Sequence, residues 1–158
     1  MNIIDYFMGA GKEVALFIVS MIPIVELRGA IPIGAGLGMP WYWVFLISVI
    51  GNMLPVPFII ILGRKILEIL KKIKPFEKLV EKYERKIMKN ADKAMKYEFI
   101  GLCLLVAIPL PGTGAWTGAV VASFLGMRLK QAIPSILLGV LIAGVIVTLI
   151  SYGVVAVF

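Results

Sequence analysis

Long apolar runs alternate along the chain with short polar or proline-rich interruptions, and the lengths of the runs set the elements. Residues 41–63 carry no charge and read as one apolar segment. As a helix it reaches about 34 Å, enough to cross a hydrocarbon core of about 30 Å with some tilt. Pro55 and Pro57 predict a kink in its second half. Trp41, Tyr42 and Trp43 open it as an interfacial anchor, and Arg64 and Lys65 close it on a basic side. Residues 131–158 are also free of charge and predict a second span that tolerates Pro134. The apolar segments preceding these spans are shorter. Residues 14–25 and 99–110 each reach about 18 Å as helix before proline and glycine interrupt them. Residues 30–38 and 115–126 supply return legs, which predicts two re-entrant hairpins over about 14–38 and 99–127. A hairpin entering at Phe99 also returns Arg128 and Lys130 to the side of the basic middle, as the excess of positive charge on the inner face requires. Four simple spans are the competing arrangement.

Residues 64–98 hold 12 of the 16 Lys and Arg and 6 of the 9 acids, the signature of a cytoplasmic segment. Ile66, Ile69, Leu70 and Ile73 form one amphipathic stripe there, Pro75 breaks it, and Phe76, Leu79, Val80, Tyr83, Ile87 and Met95 approximate a second. Residues 2–11 predict a short interfacial helix. The two halves also match. Ile22-Pro23, Gly29-Ala30, Leu37-Gly38-Met39 and Gly51 recur in order as Ile108-Pro109, Gly118-Ala119, Leu125-Gly126-Met127 and Gly139. The expected fold class is therefore an all-α integral membrane protein, an inverted repeat of re-entrant helical hairpin plus transmembrane helix around a basic amphipathic cytoplasmic segment. It forms one membrane domain over 1–158, with a first repeat at 1–63, cytoplasmic helices at 64–98 and a second repeat at 99–158.

Composition agrees with a membrane class. The chain is 61% hydrophobic and only 16% charged, with a mean hydropathy of +1.01, more apolar surface than a soluble domain of this size buries. Asp5, Lys12 and Glu13 give no basic leader, so the whole chain is read as mature and as a multi-pass protein of the cell membrane. With no His and a single Cys103, an intrachain disulfide, a Cys/His metal site and His-based catalysis have no material. The net charge of +7 sits almost wholly in the middle segment, which argues against nucleic acid as partner. No cofactor is expected, and no enzyme.

Candidate chemistry lies in the two interruptions. Residues 22–38 place Glu26 and Arg28 among prolines and glycines inside an apolar stretch, and ionisable side chains at membrane depth mark a site by default. Arg offers a planar fork for a phosphate or carboxylate, and Glu26 is the candidate coupling group for a proton or cation. In residues 108–118, Pro109 and Pro111 end a half-helix, Gly112 and Gly114 allow a tight turn, Thr113 and Thr117 add hydroxyls, and Trp116 adds an indole donor. Backbone N–H groups at such a turn, followed by a new helix, form an anion cradle. The competing reading makes the charges a structural pair and the glycines packing. Ser48 and Asn52 are further polar candidates in the first span.

The segment from Pro23 to Gly34, the apolar span after it, the basic middle and the run from Pro109 to Ala119 together resemble the small multidrug export proteins over essentially the whole chain. That family in turn is similar to the DedA superfamily, a resemblance that implies paired re-entrant hairpins and lipid handling, such as returning a polyprenyl-phosphate carrier across the bilayer with an ion gradient. The family name implies drug export. The expected function is a secondary transporter or lipid flippase moving an anionic amphiphile. A small-molecule or drug exporter is the alternative, and a structural membrane protein without transport the second. A homodimer is the expected assembly, since two spans and two hairpins give little protein to seal polar hairpin tips from lipid.

Overall fold

Proline and glycine set most of the helix boundaries in the computed structural model, which describes residues 3–73, 78, 81–82, 91–110 and 112–157. Helix α1 (Ile3–Met21) stops just before Pro23, and α2 (Glu26–Gly36) follows at once. Pro40 precedes α3 (Trp41–Met53), and Pro55 precedes α4 (Val56–Lys71). Helix α5 (Ala91–Ala107) ends ahead of Pro109, α6 (Ala115–Phe124) starts after Gly114, and α7 (Leu129–Val157) passes through Pro134 without a break. No strand occurs among the described residues.

The two segments Trp41–Leu70 and Leu129–Ala156 are long and apolar enough to cross a membrane. Their outward faces carry large exposed apolar side chains, among them Phe58, Leu62, Leu149 and Ile150. Lipid suits such a surface and water does not. The helices preceding these segments are longer than hydropathy alone predicts. In α1 and α5 the helix begins in sequence containing Asp5, Lys12 and Glu13, or Asp92, Lys93 and Lys96, because no proline stands there and Ala, Met, Lys and Glu favour a helix, in α1 despite Gly9 and Gly11. The expected break at Pro75 lies outside the described residues. So do Phe76, Leu79, Val80, Tyr83 and Ile87 of the second stripe.

Helix α1 packs on α3 and α2, and α5 packs on α7 and α6. Between the halves the contacts cross over, with α2 against α7 and α6 against α4. Leu27, Ile31, Val44, Val56, Ile60, Val106, Ile136 and Val140 belong to one core cluster between them. Helices α3 and α7 run antiparallel, since Gly144 meets Phe45 while the Tyr152 hydroxyl donates to the Met39 carbonyl at 2.7 Å.

The same local structures occur twice. Helix α2 closes with Gly38 at φ 70° and the Met39 N–H on the Gly34 carbonyl at 3.1 Å. Helix α6 closes with Gly126 at φ 67° and the Met127 N–H on the Ala122 carbonyl at 3.0 Å. Both are left-handed glycine caps with the long backbone bond of a Schellman motif. The cap carbonyls are then held from the opposite half, Met39 by Tyr152 and Met127 by Arg64. Gly51 lies against the Phe17 carbonyl, and Gly139 lies against that of Cys103. This register sets Arg28 opposite Trp116. It moves the match of Gly29-Ala30 with Gly118-Ala119 along by one residue, an offset that short Gly/Ala matches leave open.

Candidate functional site

The two interruptions meet. Between α1 and α2, residues 22–25 form a tight turn, and Glu26 opens α2 with φ 50°, a left-handed conformation that a non-glycine residue adopts only under constraint. The constraint is visible in its side chain. Glu26 is 5% exposed, and its Oε1 accepts the N–H of Trp116 at 3.2 Å. Trp116 is the second residue of α6, whose preceding Gly114 has no side chain to cap it. The carboxylate of α2 therefore caps the start of α6, where the helix dipole favours a negative group. A Cβ on Gly114 would collide with that carboxylate.

Arg28 does the opposite work at the other end of the second break. Its Nη2 donates to the carbonyls of Val106 at 3.1 Å and Ile108 at 3.0 Å, and its Nη1 donates to Thr113 Oγ1 at 3.0 Å and to the carbonyls of Leu110 and Thr113. These oxygens belong to the last turn of α5 and the chain that follows it. Proline ends the regular pairing there: Pro109 brings no N–H to the helix, the Leu110 N–H turns to the Ile108 carbonyl at 2.8 Å, and the turn beyond is no longer helical, so these oxygens keep lone pairs for the guanidinium. A guanidinium is the side chain best fitted to such a set, with several donors in one plane and a positive charge at a helix C-terminus.

The second break answers in kind. The Trp116 indole donates to the carbonyl of Met21, the last residue of α1, at 3.1 Å. Thr113 Oγ1 lies 2.8 and 2.9 Å from the carbonyls of Ile108 and Leu110, and the Thr117 hydroxyl donates to that of Gly112 at 2.9 Å. Thus Glu26, Arg28, Thr113, Gly114 and Trp116 are brought together, Gly112 and Thr117 brace the turn, and Pro109 stands exposed at its edge. Pro111, expected at the same turn, lies outside the described residues. The sequence does not announce that Arg28 serves carbonyl oxygens. The signal for it is the crossed register, in which Arg28 and Trp116 are equivalent and each caps the first helix of the other half.

A family model described as "Putative small multi-drug export protein" matches residues 26–146. The chain belongs to that family. Comparison with curated proteins and with solved structures finds no match. The match to the export family begins at Glu26, just after the turn of the first break, and includes both charges, the whole second break and the greater part of α7. A groove of about 430 Å³ opens nearby between α5 and α6, lined by Gly101, Leu102, Leu105, Val121 and Leu125, with Tyr97 and Glu98 as its polar members.

Proposed function

We propose that this protein is a secondary transporter that exports small amphiphilic molecules across the cell membrane, with the two joined breaks as its moving centre and Glu26 as its coupling group. The observation that carries the reading is the exchange of caps: each break satisfies the helix ends of the other inside an apolar bundle. Discontinuous helices meeting at one point are a recurring plan of secondary transporters. Export is the function named by the family. The twofold recurrence of caps and the antiparallel course of α3 and α7 support an inverted repeat of re-entrant hairpins.

The groove between α5 and α6 supports an amphiphile as cargo. Its wall is apolar and its one charged member is Glu98, which suits an apolar body with a cationic or neutral polar end. Arg28, by contrast, has both terminal nitrogens on carbonyl oxygens, and an anionic head group reaching it would have to displace them. The DedA-like flippase of a polyprenyl phosphate is accordingly one arm of the test. Proteoliposomes loaded with a panel of lipophilic cations, neutral amphiphiles and a polyprenyl phosphate should show gradient-dependent flux of at least one compound, and Glu26→Gln should remove the dependence on the gradient. Absence of flux for the whole panel, with folded protein, overturns the reading in favour of a structural membrane protein.

A further inference from the structure

We propose that the kink between α3 and α4 holds a binding site for a monovalent alkali cation, built from Ser48, Asn52 and the backbone carbonyl of Gly51. Ser48 is fully buried and Asn52 is 1% exposed, yet the Ser48 hydroxyl and both polar atoms of the Asn52 amide have no hydrogen-bond partner in the protein. A buried amide with neither end satisfied is costly, and it persists where something other than the fold uses it.

The fold does not call for polar residues at this level. In the register set by the two glycine caps, Ser48 and Asn52 correspond to Ile136 and Val140 of α7, both fully buried members of the core. Pro55 corresponds to Ala143, and α7 runs on unbroken. Polar pair and helix break are thus confined together to one half of a repeated structure.

The break supplies further oxygen. Pro55 has no N–H for the carbonyl of Gly51, four residues earlier, and Pro57 has none for that of Met53. Positions 48, 52 and 55 recur at i, i+4 and i+7, so they share one helix face. The ring of Pro55 stands where that N–H would be, so the Gly51 carbonyl keeps lone pairs that this helical donor does not take. With Asn52 Oδ1 turned to the ion, the amide N–H groups reach back toward the Ser48 carbonyl one turn earlier.

The donor chemistry selects the ligand. All these oxygens are neutral, and none takes up or gives off a proton near neutral pH, so the site suits a cation and not a proton. Divalent ions favour carboxylates, which this set lacks. Unwound carbonyls at a broken membrane helix are suited to an alkali ion.

The test is a thermal melt of the purified full-length protein in detergent, titrated with NaCl, KCl or choline chloride at constant ionic strength. Na⁺ should raise the midpoint saturably while choline does not. An equal response to K⁺ supports an unselective alkali site. Ser48→Ala should raise the half-saturating Na⁺ concentration by about tenfold, and Asn52→Leu should abolish the response. If Asn52→Leu does not fold, Ser48→Ala and the wild type decide. Equal midpoints in all three salts overturn the proposal, and so does an unchanged Na⁺ response in Ser48→Ala.

Discussion

Glu26 and Arg28 stand two residues apart, a spacing that on one helix would send them to different sides, and they use this separation to reach opposite ends of the second break. Each charge meets the helix terminus whose partial charge it complements. Arg28→Ala would take their donor from the carbonyls of Val106 and Thr113 and should lower stability by about 1–3 kcal/mol, read as a lower melting midpoint in detergent. Arg28→Lys should recover only part of it, because an ammonium cannot span the same set of oxygens. Gly114→Ala is a sharper probe. Gly114 sits at φ 152° and a Cβ there meets the Glu26 carboxylate, so the substitution should destabilise by about 1–3 kcal/mol and break the contact to Trp116. Gly112→Ala, at φ 82° but with open space around its Cβ, should cost only about 1 kcal/mol. Equal losses at both positions would show that the carboxylate contact is unimportant.

Among the elements, the two long apolar helices are legible from hydropathy alone, and Pro55 marks the interruption between α3 and α4. The polar beginnings of α1 and α5 are not legible in that way, since hydropathy is silent about a helix that continues into charged sequence. The meeting of the two breaks follows from their matching patterns. The crossed caps of Arg28 and Trp116 depend on a register that single Gly and Ala matches leave one residue uncertain. The re-entrant arrangement makes its own prediction: Arg64 and Lys130 share one side of the membrane. A single cysteine at position 130, in a Cys103→Ala background, should resist an impermeant thiol reagent added outside, and labelling there would favour simple spans. The groove between α5 and α6 is testable through Gly101, where an added Cβ meets nothing within 4 Å. Gly101→Leu should fill the groove and raise the KM for an exported amphiphile severalfold while leaving the melting midpoint in place, because leucine also favours the helix.

At the scale of the molecule, the breaks present apolar residues outward, with Ile24 94% exposed and Leu110 56% exposed beside the polar turn. A second copy covering this edge would shield the turn from lipid, so detergent-corrected light scattering should report a dimer; a strictly monomeric particle that still transports would remove that expectation. The exchange of caps also means that neither break can loosen alone, because releasing Trp116 or Arg28 frees the end of a helix in the other half. Trp116 has one more consequence. The chain has three tryptophans, and Trp41 and Trp43 stand together at the start of α3. Replacing those two with phenylalanine leaves a single indole whose N–H is tied to the end of α1. The protein thereby carries its own fluorophore at a point where its halves grip each other, and its emission wavelength would follow, in real time and without a label, the parting of that grip.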